Sequence, residues 1–265
     1  MKLSSIPIHL LYILPQTFRE WTIIGIDKDI SIHKPYHYKI GNLPLVLWYN
    51  NSNPNTIINS CHKHLGNTLR DSYIENNKLI CPFHKSVYIN EDNMGTIKKE
   101  NGLLWWSYKS FNKNPPKIRN ENNNYHFEVH NEFISTILNI ICDFGGTYSR
   151  FNEKNKKLLM KKDRNFIIYK YPYTIQFNNR YMINIIPIDI DKSHIYLTTP
   201  KQTKISINEI NKFKVYINKR FNDFKFKYLL KDDNSYLNKI YNLYANYMFP
   251  NDYTIQQFLI NKKYY

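Results

Sequence analysis

The chain has 265 residues, 42% of them hydrophobic and 16% aromatic, a length that suits one large or two modest domains with a sizeable core. Only 7 residues are glycine, and neither G-x-G-x-x-G nor G-x-x-x-x-G-K occurs, which excludes the glycine-rich nucleotide cradles and a nicotinamide cofactor of the chain's own. The formal charge of +16 comes from basic residues scattered through a chain also rich in Asn, Ile and Tyr; with no nucleic-acid-binding motif beside it, it reads as a basic surface and not as a specific nucleic-acid site.

The apolar opening, Ile6 to Leu14, is too short to span a bilayer, is broken by Pro7 and Pro15, and precedes no small-residue cleavage site. We therefore expect neither a transmembrane segment nor secretion. Three cysteines make no disulfide framework, so a reducing compartment such as the cytoplasm is expected. Thr22–Ile26 reads as a first strand. His37–Ile40 and Leu45–Tyr49 read as two more, joined around Gly41-Asn42, with Val46, Leu47 and Trp48 buried. His33 and His37 have no partner at ligand spacing and read as ordinary surface or core histidines. Asn50–Asn55 is turn-rich, and Thr56–Asn59 leads out of it.

The chemistry-bearing stretch follows. Cys61-x2-His64 is succeeded by Cys81-x2-His84, and Leu79-Ile80 enters the second loop like the end of a strand. Each loop offers one thiolate and one imidazole. Two such loops can hold a Rieske [2Fe–2S] centre, in which both sulfurs bind one iron and both imidazoles the other. The same four ligands can close a tetrahedral structural zinc site.

The flanks add to this. Gly66 and Leu69 follow His64 in the order H-x-G-x-x-L, and the second loop reads CPFHKSVY. The sequence here resembles the Rieske non-heme iron oxygenases, whose loops read C-x-H-R-G-x-x-L and C-P-Y-H-G-W. The strands before the first loop and the later NGLLWWSY, Asn101–Tyr108, are similar to that family's order as well. Three departures stand out. The family's first Cys would fall at His62, one residue after Cys61, so either Cys61 binds from a loop one residue longer or His62 replaces the thiolate. Lys85 stands where the family has Gly, and Ser86 where it has Trp. The resemblance implies a [2Fe–2S] cluster on Cys61, His64, Cys81 and His84, and a ferredoxin or reductase as electron donor, which a basic face would help to dock. It also implies a hydrophobic small-molecule substrate, a mononuclear non-heme Fe(II) and a ring-shaped homotrimer.

Asn112–Asn124 has two prolines and no apolar periodicity and reads as a linker, giving domains 1–118 and 119–265. Beyond it, Tyr125–His130 alternates like a strand, and Asn131 is placed to cap a helix from Glu132 to Asp143 that Gly145-Gly146 would end. Strands are predicted at Phe166–Tyr171, Tyr173–Phe177, Tyr181–Pro187 and His194–Thr199, with IDIDKS as a hairpin loop. A last helix is predicted over Ser235–Met248, capped by Asp233 or Asn234 and stopped by Pro250. The expected class is α+β: an all-β Rieske-like domain, then an antiparallel sheet with a long C-terminal helix that resembles the helix-grip (START-like) domain of the same oxygenases.

The family's mononuclear iron sits on two His and one carboxylate, with a helix signature N-x2-3-D-x2-H-x4-H. Asn139 and Asp143 match its Asn and Asp, but the two His positions are Gly146 and Phe151, which cannot bind iron. Asp143, which the family uses to bridge one subunit's Rieske histidine to its neighbour's iron, would be a remnant. His126, Glu128 and His130 alternate on one strand face and offer a substitute iron-ligand set, although the same pattern describes a solvated strand face. His194, beside the hairpin loop, is expected to be exposed. Asp232 and Asp233 read as caps near the family's carboxylate position, and Cys142 as a small buried hydrophobe. Three functions follow: a Rieske oxygenase that hydroxylates, demethylates or desaturates a hydrophobic substrate; an electron-transfer or degenerate protein lacking the mononuclear iron; and a zinc-stabilised basic binding module.

Overall fold

The computed structural model describes residues 20–41, 43–61, 63, 68–89, 93–108, 114–116, 122–131, 136–137, 140–141, 147–152, 157–170, 173–178, 180–189 and 192–220. The chain divides into two compact units between Pro116 and Lys117.

Among its described residues the first unit is β apart from one 3-10 turn at Asp27–Asp29. Its strands are β1 (Thr22–Ile26), β2 (Tyr36–Ile40), β3 (Leu43–Asn50), β4 (Asn53–Ile58), β5 (Tyr73–Glu75), β6 (Lys78–Ile80), β7 (Val87–Tyr88), β8 (Thr96–Glu100) and β9 (Leu103–Ser107). They form three antiparallel three-stranded sheets, ordered β1-β9-β8, β2-β3-β4 and β5-β6-β7. Asparagine makes the hairpins possible. Asn51-Ser52, Asn76-Asn77 and Asn101-Gly102 all have positive φ and each forms a two-residue turn, closed by Asn50↔Asn53, Glu75↔Lys78 and Glu100↔Leu103. Two consecutive left-handed residues match the twist of antiparallel strands, and Asn tolerates that backbone better than other residues with a Cβ. The expected turn region Asn50–Asn55 therefore shrinks to two residues, and Asn53-Pro54-Asn55 already belong to β4.

β3 is buried on both faces, and Trp48, Trp105 and Trp106 are fully inside. The Trp106 indole donates to Met94 O at 2.7 Å, and Met94 N–H donates to Thr56 O at 2.7 Å, which straps residue 94 across β4. Gly95 follows at φ +84, where a Cβ would lie 2.5 Å from Ser107 O, so only glycine fits this crossing.

The described strands of the second unit form one seven-stranded antiparallel sheet. Its strands are β10 (Asn122–Val129), β11 (Thr147–Asn152), β12 (Lys157–Lys162), β13 (Asn165–Lys170), β14 (Thr174–Phe177), β15 (Tyr181–Asp189) and β16 (Lys192–Pro200). The order is β10-β16-β15-β14-β13-β12-β11: a meander whose last strand is flanked by β10. β10 begins at Asn122, so the last residues of the expected linker are strand. β15 and β16 pair as far as Asp189↔Lys192, so most of the expected IDIDKS loop is strand as well.

Helix α1 (Ile207–Arg220) follows β16 and was not expected from its Lys- and Asn-rich sequence. Its signal is a capping box. The Ser206 backbone N–H and hydroxyl both donate to Glu209 Oε2, at 2.7 and 2.8 Å, while Glu209 N–H donates to Ser206 Oγ at 3.2 Å. Phe213 meets Phe127 of β10 edge-on, and Ile217 is fully buried. The Asn131 amide donates to Ile217 O at 3.3 Å, and among the described residues its side-chain oxygen accepts no hydrogen bond; residues 132–135, which Asn131 was expected to cap, lie outside the described residues. Of the helix expected over Glu132–Asp143, Thr136, Ile137, Ile140 and Ile141 are described and are helical. Cys142, Asp143 and Gly146, and Asp232, Asp233 and the helix expected over Ser235–Met248, lie outside the described residues.

Candidate metal centre

The first loop leaves β4 and is tied at both ends. Asn59 N–H donates to Pro44 O at 2.9 Å, and the Asn59 side-chain oxygen accepts from Leu69 N–H at 2.7 Å. One asparagine thus spans the loop from before Cys61 to beyond Gly66. Leu69 O in turn accepts from Ser72 N–H and from its hydroxyl, at 3.1 and 2.6 Å. Cys61 is buried at the mouth of this loop; His62, its alternative, and His64 lie outside the described residues.

The second loop is the connection between β6 and β7, which pair as Leu79↔Tyr88 and Ile80↔Val87. Cys81 N–H donates to Ser86 O at 2.9 Å and closes the loop around Pro82, Phe83, His84 and Lys85. Lys85 takes φ +52, a physical reason for a glycine at this place. Here the lysine carries the left-handed backbone, and its ammonium donates to the Tyr73 hydroxyl at 3.1 Å.

Cys61 and Cys81 belong to one buried cluster with Val46, Trp48, Ile57, Leu69, Leu79 and Tyr88. They form no disulfide. His84, three residues after Cys81, is on the exposed side of its loop. Both described thiols therefore lie inside and the His84 imidazole outside, an arrangement compatible with one sulfur-held and one imidazole-held iron. Two buried donors strengthen the fit: among the described residues, Trp48 Nε1 in the same cluster and Ser86 Oγ beside Cys81 find no hydrogen-bond partner. Buried donors are costly to leave unmade, and sulfur acceptors would satisfy them. Among the described residues no group of three or more His, Cys, Asp and Glu is arranged to hold a metal ion; His64, the loop ligand that would complete such a group, is not among them.

In the second unit, His126 stands opposite Tyr196 and Glu128 opposite His194 on β10 and β16. His126 Nε2 and His194 Nδ1 are 3.0 Å apart, one donating and the other accepting. Tyr196 stacks on His126 with centroids 4.5 Å apart, and Glu128 Oε1 lies 3.6 Å from His194 Nδ1. His194 is buried, contrary to the expectation from its place beside a hairpin loop, because β15 and β10 flank it on both sides. Burial first, and the neighbouring His126 second, push its pKa down to about 3, so this imidazole is neutral. His130 is exposed, one residue past the end of β10. Phe151 lies in β11 opposite Leu158, so it takes part in strand pairing and is not on a helix. No helix among the described residues is long and apolar enough to cross a membrane.

Residues 20–105 match the Rieske [2Fe-2S] domain family. No curated protein matches the chain in sequence. Among solved structures, apo dicamba monooxygenase is 10% identical with a TM-score of 0.61, over 93% of this chain and 99% of that one. Dicamba monooxygenase bound to dicamba is 11% identical with a TM-score of 0.59, over 92% and 95%. NdmB of Pseudomonas putida CBB5 is 11% identical with a TM-score of 0.57, over 80% and 85%. Residues 20–105 thus form a domain of the Rieske [2Fe–2S] kind, and the chain as a whole shares the fold of the dicamba monooxygenase and NdmB structures.

Proposed function

We propose that the chain is a Rieske oxidoreductase of the oxygenase type, with the cluster domain in residues 1–118 and a substrate domain in 119–265. Cys61 and Cys81 hold one iron of a [2Fe–2S] cluster, and His64 and His84 the other; His62 is the alternative to Cys61. Such a cluster takes up and gives on one electron at a time. The protein's part is to keep the thiolate side dry within the Trp48–Leu79 cluster and to present His84 at the surface, where an electron donor of the ferredoxin or reductase class can approach. The substrate class is a hydrophobic small molecule, and assembly as a homotrimer would bring the cluster of one subunit to the substrate domain of the next. The observation that carries this reading is the burial of both loop thiols in one core beside two donors that lack an acceptor among the described residues.

A second reading keeps the cluster and drops the oxygen chemistry. It is favoured by Phe151, which occupies a strand where the family pattern asks for a histidine ligand. Elemental analysis of anaerobically purified protein separates the readings. Two irons and two acid-labile sulfides per chain, with reddish-brown charge-transfer absorption, are expected for the cluster. A third iron marks the oxygenase, and its absence an electron carrier. Zinc in place of iron and sulfide, on colourless protein, overturns both.

A further inference from the structure

Outside the two cluster loops, one pair of side chains places strong metal donors face to face. His126 Nε2 and His194 Nδ1 approach to 3.0 Å from neighbouring strands. Two nitrogens bound about 2.0–2.1 Å from one cation stand about 2.9–3.4 Å apart at tetrahedral to octahedral angles, so the separation lies in the range of a shared ion, which would displace the proton the two rings share and draw both lone pairs toward itself. The ladder of β10 and β16 fixes the separation, running unbroken from Asn122↔Pro200 to Val129↔Ser193. Tyr196 lies nearly parallel to the His126 ring, at 16°, and holds its plane; burial holds His194. The pair is therefore organised before any ion arrives, which removes the ordering cost that a flexible chelate bears.

A third donor stands beside the pair. Glu128 Oε1 is 3.6 Å from His194 Nδ1, and its side chain is 58% exposed, so rotation about its own bonds can bring the carboxylate onto an ion between the imidazoles. As the side chains stand, no three such groups among the described residues already form a closed set, and Glu128 must make this small turn. His126 is exposed, so an ion can enter from solvent.

We propose that His126 and His194, with Glu128 as the third donor, bind a divalent transition-metal cation of the imidazole-preferring class, such as zinc, nickel or copper. The site is separate from the helix pattern that Gly146 and Phe151 leave without ligands. It does not rest on the Rieske reading, because its residues all belong to the second unit. It replaces His130 with His194 in the ligand set that strand alternation alone suggests.

The test uses the full chain as purified and counts zinc by equilibrium dialysis and elemental analysis. Wild type and the variants His126→Gln, Glu128→Gln and His130→Gln are compared. His126→Gln should hold one zinc fewer per chain than wild type, or bind it at least about tenfold more weakly. Glu128→Gln should weaken binding by less, and His130→Gln should match wild type. Because the readout is the difference between wild type and His126→Gln, zinc taken by the cluster loops cancels, and failure of the cluster reading leaves this result interpretable. Zinc should also raise the melting temperature of wild type and not that of His126→Gln. Equal zinc content, affinity and thermal shift in wild type and His126→Gln would overturn the proposal and leave the pair as a cross-strand hydrogen bond.

Discussion

Ser86 stands where the oxygenase pattern has a tryptophan, and its buried hydroxyl finds no acceptor among the described residues. Hydrogen bonds to cluster sulfurs raise a reduction potential by stabilising the more negative reduced state. Ser86→Ala should therefore lower the midpoint potential measured by redox titration while leaving iron and sulfide content unchanged; an unchanged potential would show that the hydroxyl faces elsewhere. The Rieske loop pattern was legible in the sequence because the spacing of its residues is a local property. The roles of Asn59 and His194 were not. Asn59 meets Leu69 across the loop and His194 meets His126 across the sheet, 68 residues away, and neither contact leaves a periodic trace. The burial of His194 follows from strand pairing on both sides, whereas its place beside a predicted hairpin loop suggested exposure.

Strands with a strong apolar pattern, such as LPLVLWYN in β3 and LLWWS in β9, were readable from sequence. Short or polar strands were not. β8 reads TIKKE and is nowhere fully buried, and β5 and β7 are three and two residues long, so pairing with neighbours and not composition makes them strands. Helix α1 was missed for the opposite reason: its apolar positions are sparse, and the usable signal was the Ser206-x-x-Glu209 box. Ser206→Ala should destabilise the second unit by about 0.5–2 kcal/mol in denaturant titrations. Hydrogen bonds from the Ser206 backbone N–H, then from its hydroxyl, hold the Glu209 carboxyl below its usual value of 4.5. A depressed folded value means that this stabilisation is whole above the unfolded pKa and is lost as the pH falls through the folded one. The gap in melting temperature between wild type and Glu209→Ala should accordingly be widest near neutrality and close below about pH 4.5. A gap that stays constant down to pH 3 would remove the charge from the account.

At the scale of the whole molecule, 37 basic against 21 acidic residues set the long-range field met by any electron donor. Attraction between a basic surface and an acidic donor acts chiefly on the encounter rate and is screened within about 8 Å at physiological salt. Reduction by an acidic ferredoxin-type donor should therefore slow steeply as salt is raised, as followed by bleaching of the cluster absorption in stopped flow. A basic donor should show the reverse trend. A salt-independent rate with the acidic donor would assign the surplus charge to solubility alone.

The asparagine turns bear on the cluster from a distance. Asn77 Nδ2 donates to Asn51 Oδ1 at 2.7 Å, so the tip of the β3–β4 hairpin is fastened to the tip of the β5–β6 hairpin. Cys61 and Cys81 follow the opposite ends of β4 and β6. The arrangement works like tongs pinned at the handle, where play at the pin becomes misalignment at the jaws. A slip of one residue at either tip would carry a sulfur about 3.3 Å along its strand and turn it to the wrong face. On the proposed reading, the spacing of the two loops that would hold the cluster is thus gauged by a pair of amides at the hairpin tips.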